Sequence, residues 1–400
     1  MKPIFAALAV STALIAPAMA QDNYGQAFQA FQKAMGEGRS DDAKRHAKMA
    51  WEMAEKDASA NDETRAILAQ TFVYLEMFDD PSSALPAAER SLALGQQGYG
   101  TTNFTMPELA IMATTTAALV DPDTPKRRAA IEALDAYWAQ GGTADTLPVT
   151  AAMQLANISL TKTAYVDVID LTTPLGEALS RLDDVPIHDF ATANVLRAAA
   201  TLSRGDVFKP KIRRSSVGQT LEGVGTPGQS RRLQALSDAA ALLDITENFF
   251  PTQTNVENYD RLLAQVQAWS ALTEAYSESN ELTPQAVSPF VWNGTTRLSH
   301  PTYSTPCPVS PYSYKWKKKR DVTYPNSASA QELGGAVMVG FHFDDSGSVV
   351  DARVLAEVPS DRFSRNVLRA MDDWVVDLST VPDGCRRDNL ITHMFYVHLN

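Results

Sequence analysis

Apolar residues Phe28, Phe31 and Met35 follow Tyr24 at helical spacing, and the spacing returns after Gly36 and Gly38 at Ala43, Ala47, Ala50 and Trp51. Two amphipathic helices joined at a glycine turn are predicted. Leu68, Phe72 and Leu75 continue the pattern, Asp79-Asp80-Pro81 breaks it, and Ala84, Ala88 and Leu92 mark the next helix. Ala88 stands 41 residues beyond Ala47, Leu92 stands 41 beyond Trp51, and Ala129 stands 41 beyond Ala88 with Asp121-Pro122-Asp123 as the break. Helical spacing persists through Met153 to Leu160, Leu175 to Leu182, Ala191 to Leu202, Arg231 to Leu243 and Tyr259 to Tyr276. Near Val337 the period changes. Val337, Val339, Phe341 and Phe343 alternate with Met338, Gly340 and His342, the period-two signature of a half-buried strand. Asp344-Asp345-Ser346-Gly347 supplies a turn, and Val350, Ala352 and Val354 return. Pro359-Ser360-Asp361 has the chemistry of a helix start, with Phe363, Val367, Ala370, Met371 and Trp374 on one face. Leu390 to Leu399 reads as a last strand.

The expected fold class is therefore α+β: an all-α, solenoid-like region, then a small three-stranded antiparallel sheet with a helix packed on one side. Domain bounds are expected at 21–288 for the helices, 289–311 for a linker and 312–400 for the terminal domain. The recurring small residues and paired helices resemble a tetratricopeptide-like array, in which stacked helix pairs leave broad surfaces for docking. A helix bundle without true repeats stays open as the alternative. Within the helical region, 206–228 is a loop rich in Gly, Ser and Pro that carries Lys209, Lys211, Arg213 and Arg214. It reads either as an arm for an anionic partner or as a solvated insertion.

At the other end of the chain, Met1-Lys2 precedes an apolar run from Ile4 to Ala16, Pro17 and the triplet Ala18-Met19-Ala20. This is the pattern of a secretory signal cleaved after Ala20, too short for a spanning helix, and it places the mature chain in the periplasm with no spanning segment. In that compartment the two cysteines, Cys307 and Cys385, are expected to form a disulfide rather than remain as free thiols. A net charge of −12 argues against nucleic acid as a partner, because phosphate binding needs clustered Lys and Arg. Positive charge is densest at Lys315, Lys317, Lys318, Lys319 and Arg320, interleaved with Tyr314 and Trp316. Those side chains are candidates for contact with anionic glycan or lipid, or form a solvated lead-in.

Catalytic chemistry finds no foothold. His342, His393 and His398 lie in predicted strands, but no H-E-x-x-H, C-x-x-C, G-x-S-x-G or phosphate-cradling glycine loop is present. Asp344 and Asp345 are turn residues first. No enzyme activity, cofactor or metal is expected.

The terminal segment carries Tyr324-Pro325, Ala328, the strand Gly335-Ala336-Val337-Met338-Val339-Gly340-Phe341, the turn Asp345-Ser346-Gly347, and Phe363, Ala370 and Trp374. With these residues the segment from roughly Cys307 to Asn400 resembles the TonB C-terminal domain family. The resemblance implies a binding module linked to transmembrane transport, which grips an extended segment of an outer-membrane transporter, or of another component of the transport complex, by adding it to the sheet edge. The candidate edge is the last strand, with Ile391, Thr392, Met394, Tyr396 and His398 as contact residues. Of these, Thr392, Met394, Tyr396 and His398 are expected on one face and Ile391, Phe395 and Val397 on the core face. Family transducers have an uncleaved membrane helix and a Pro-rich spacer, neither of which is visible here, so a soluble scaffold acting as an adaptor is the expectation. An envelope structural protein that binds peptidoglycan through the basic segment is the alternative. Whether two copies pair as a homodimer through that same strand stays open.

Overall fold

The computed structural model describes residues 23–183, 185–205, 207, 227–248, 257–279, 313–329, 334–359, 362–382, 385–387 and 389–395. The expected signal at 1–20, most of the basic loop 206–228, the linker 289–311, Cys307, Tyr396 and His398 lie outside the described residues. The chain divides into two compact units, Met1–Ala178 and Leu179–Asn400.

In the first unit the helices are α1 Asn23–Gly36, α2 Ser40–Lys56, α3 Asp62–Glu76, α4 Pro81–Gly95, α5 Met106–Val120, α6 Thr124–Ala139 and α7 Thr146–Thr161, and α8 Tyr165–Ser180 begins there. Local chemistry sets their starts. The Asn61 side chain accepts from the Thr64 N–H at 2.8 Å, Asp80 from Ser83 at 3.1 Å and Asp123 from Lys126 at 2.8 Å. Each of these caps supplies an acceptor to a backbone donor that the helix itself leaves unpaired. Pro81, Pro107 and Pro125 stand in the first turn, where a missing N–H is harmless.

From α1 to α7 each helix packs on the next. Ala43, Ala47, Ala50 and Ala54 form a fully buried stripe on α2, and Trp51 stacks on Phe72 at 5.6 Å. Lys48 donates to Ser83 at 2.7 Å and Arg90 to Glu55 at 3.2 Å, both across 35 positions. A constant offset over seven residues means that α2 and α4 run side by side in the same direction, as alternate helices of a stack do. The 41-residue spacing does not extend to the third pair, where Ala129 is exposed and Ala130 is buried instead. Further along, the buried Asp167 accepts from Arg127 at 3.1 Å and from Arg128 at 2.8 Å.

The second unit contains α9 Ile187–Arg204, α10 Pro227–Asn248 and α11 Glu257–Ser279, which pack together, followed by the terminal elements. These are β1 Trp316–Lys318, α12 Asn326–Ser329, β2 Gly335–Phe343, β3 Val349–Val358, α13 Ser364–Met371, β4 Val375–Val376, a 3-10 turn Leu378–Thr380 and β5 Asn389–Phe395. The main sheet has the order β3-β2-β5, all antiparallel, and β1 pairs separately with β4.

The helix α13 begins at Ser364 after Phe363, and Pro359 follows β3 through a cis peptide bond; Ser360 and Asp361, expected at the helix start, lie outside the described residues. One expectation is corrected: the sheet is covered on both faces. Val337, Val339, Phe341 and Phe343 pack with Phe363, Val367, Met371 and Trp374 on the α13 side. Ala336 and Met338, with Ala356 and Val358 of β3, pack in the cluster that holds Val266, Trp269, Leu272 and Tyr276 of α11. The alternation had marked Met338 and Gly340 as the solvent side, but small and apolar residues there accept a helix. Burying a side chain of methionine size contributes roughly 1.5–3 kcal/mol, so the second face matters to stability.

A fragment starting at residue 312 is therefore expected to bind the dye ANS and to self-associate on gel filtration, whereas a fragment of 179–400 stays monodisperse. A dye-free, monodisperse 312–400 fragment would show that α11 is dispensable.

Candidate strand-binding site

The turn between β2 and β3 is built around one carboxylate. Asp344 Oδ1 accepts from the Ser346 hydroxyl at 2.6 Å, the Ser346 N–H at 2.9 Å and the Ser348 N–H at 2.8 Å. These donors, the Ser346 hydroxyl foremost, hold its carboxyl below the usual carboxylate range. Gly347 has φ +86, and a Cβ there would lie 2.4 Å from the Val376 carbonyl oxygen. The Gly347 carbonyl in turn accepts from the Val376 N–H at 2.8 Å, which ties the turn to β4.

Gly335, Phe341, Phe363, Trp374 and Tyr324 gather around α13. A Cβ on Gly335 would meet the Phe363 ring at 2.4 Å, and Tyr324 packs edge-on to the same ring at 6.4 Å. Pro325 is buried. Trp374 is buried, donates through Nε1 to the Arg320 carbonyl at 2.7 Å and packs edge-on to Trp316 at 5.1 Å. These residues shape the sheet and set its supporting helix.

Most cations of the basic segment have partners within the chain. Lys318 pairs with Asp373 at 2.8 Å and Arg320 with the same carboxylate at 3.1 Å. Lys319 Nζ sits 5.1 Å from the Trp374 ring centroid and 5.6 Å from that of Trp316. The hydrogen bonds from Lys318 and Arg320 hold the Asp373 carboxyl below its ordinary range. Lys315 and Lys317 are exposed near Asp377, whose carboxyl is lowered first by the Ser379 hydroxyl and then more weakly by the two lysines.

The two sheet edges differ. β3 meets β2 with register shifts at Met338/Val339 and Gly340/His342, and Asp351 on it has φ +52. Such bulges blunt an edge against further pairing. β5 pairs with β2 over seven residues without a shift, from Gly335 opposite Phe395 to Phe341 opposite Asn389. Ile391, Thr392 and Met394 stand opposite Val339, Met338 and Ala336. Among the described residues β5 pairs only with β2, and α11 lies against it.

Residues 320–383 match the family model of the Gram-negative bacterial TonB protein C-terminal. No curated protein and no solved structure matches the chain. Domains of the matched family belong to TonB-like envelope proteins linked to transport. The TonB-type match spans the turn, α13 and β4 and ends before β5. Among the described residues no helix is long and apolar enough to cross a membrane, and no cluster of His, Cys, Asp and Glu could hold a metal ion.

Sequence reasoning missed Asn389 at the start of β5. It is 2% exposed, and its side chain accepts from the Tyr314 hydroxyl at 3.3 Å and donates to the Cys385 carbonyl at 3.0 Å. Only its polarity at the edge of an apolar run could have drawn notice.

Gly347→Ala is expected to destabilise the protein by at least about 1–3 kcal/mol, the range for a side chain forced into a left-handed conformation, read as a lowered urea midpoint. For Asp373 the folded pKa is depressed, so its stabilisation is present above the ordinary carboxylate range and is lost as pH falls through the lowered value. Asp373→Asn should lower stability at neutral pH and leave it unchanged at strongly acid pH, in paired melts.

Proposed function

We propose that this chain is an exported, non-enzymatic envelope protein whose helical array presents a TonB C-terminal-type domain. The domain binds an extended segment of an outer-membrane transporter, or of a protein associated with one, by adding it as a strand beside β5. The signal at Met1–Ala20 delivers the chain to the periplasm, and a Cys307–Cys385 disulfide closes the terminal domain. The observation that carries this reading is the contrast between the edges: seven residues of unshifted register on β5 against a twice-shifted β3. An added strand takes its affinity from main-chain groups and its selectivity from alternate side chains, and it needs a regular edge to do so. A second copy pairing through the same edge would compete with the segment. The peptidoglycan-binding adaptor has less support, because Lys318, Lys319 and Arg320 are already engaged with Asp373 and the two tryptophans.

The test uses the full chain, since α11 packs on the sheet. In a crosslinked pull-down from envelope extract, the normal chain and Met394→Ala should recover an outer-membrane transporter, and Met394→Pro should not, because proline removes a backbone donor from β5. Equal recovery by all three chains, or recovery of cell-wall fragments alone, would overturn strand capture.

A further inference from the structure

A regular edge strand has a specific weakness. Side chains alternate with period two, so a slip of one residue exchanges the faces of the whole strand and presents a different edge to any partner. In β5 no bulge pins the pairing, and something else must select one register. The polar residue at its start is placed to do so.

Asn389 stands opposite Phe341, beside the apolar cluster of α13, and is almost wholly buried. Its amide is satisfied in one arrangement: Oδ1 receives the Tyr314 hydroxyl at 3.3 Å, and Nδ2 reaches the Cys385 carbonyl at 3.0 Å. The Tyr314 ring is itself fixed edge-on against Phe343 at 6.0 Å. Close by, the Phe343 N–H donates to the Arg386 carbonyl at 2.8 Å, which ties the chain ahead of β5 to the end of β2. Shifting the strand by one position would carry Leu390 to the polar partners and leave a buried amide without them. An unpaired buried polar group costs about 1–3 kcal/mol. A single buried asparagine is known to set register in other packed assemblies at the expense of some stability.

We infer that Asn389, held by Tyr314, is the positioning residue that fixes the register of β5 and so decides which backbone groups the capture edge presents. This inference rests on the strand-capture reading for its functional meaning, but its structural part can be tested without a ligand. Neither residue lies within the matched segment 320–383.

Hydrogen exchange followed by mass spectrometry on the full chain separates positioning from plain stability. In Asn389→Leu an apolar side chain replaces the amide, and in Tyr314→Phe only the hydroxyl is lost. Both variants should exchange the protected amides of 389–395 about tenfold faster or more, the factor expected for losing one such buried partner. The amides of β3 and α13 should keep their rates. Acceleration spread evenly over the sheet, or unchanged β5 rates in both variants, would overturn the inference. The pull-down described above, repeated with these variants, reads the capture itself. If β5 loosens selectively and the normal chain recovers no transporter, positioning stands and the capture reading falls. If β5 loosens and both variants recover the transporter as well as the normal chain does, the edge does not depend on Asn389 and the functional part of the inference falls.

Discussion

The terminal module depends on β2 being buried from both sides. Gly335–Phe343 is the central strand of a three-stranded sheet, paired along both edges and packed on both faces. Phe363 closes over Gly335 from one side, and Tyr276 of α11 closes over the neighbouring Gly334, where a Cβ would lie 2.0 Å from its hydroxyl oxygen. Glycine at these positions permits the close approach that a side chain would block. Among the described residues β5 pairs only with β2 and packs against α11, so its placement depends on how β2 is held. The helix α11 thereby supports the sheet, although the family match does not reach it.

The motif residues and the contact edge have different tasks. Tyr324, Gly335, Phe341, Gly347, Phe363 and Trp374 build the core and turn that hold the sheet in shape. In the basic run next to them, conspicuous in the sequence, Lys318 and Arg320 share Asp373 and Lys319 lies over the Trp316 and Trp374 rings. Exposed pairs of this sort contribute little to stability individually, and here they mainly fix β1 beside the end of α13. On the proposed strand-capture reading, recognition rests with backbone groups on β5, which no side-chain motif advertises.

What was legible in the sequence was local. Helix breaks at Asp80-Pro81 and Asp123 could be read because capping and proline chemistry act over three or four residues. The β2–β3 hairpin could be read because alternation and an Asp-Ser-Gly turn are equally short-range. The cover over Met338 could not, because it comes from Trp269 and Leu272, far away in the chain, and because Ala336, Met338 and Gly340 look neutral to a pattern of apolar and polar positions. The start of α13 could not be placed from the sequence, because the Phe363 N–H that precedes it meets the Glu357 carboxylate of β3 at 2.6 Å. Asn389 stayed hidden for a related reason: its partners Tyr314 and Cys385 become neighbours only when the sheet forms.

If a partner pairs with the outer side of β5 and with no other part of the domain, site-specific photocrosslinking in intact cells will show it, with a photoreactive amino acid placed at Ile391 or Thr392 on β5, at Arg353 or Val354 on β3, and at Lys317 on β1. The predicted result is an adduct with an outer-membrane protein from the β5 positions and none from the others. Adducts from β3 or β1 with β5 silent would contradict strand capture at this edge.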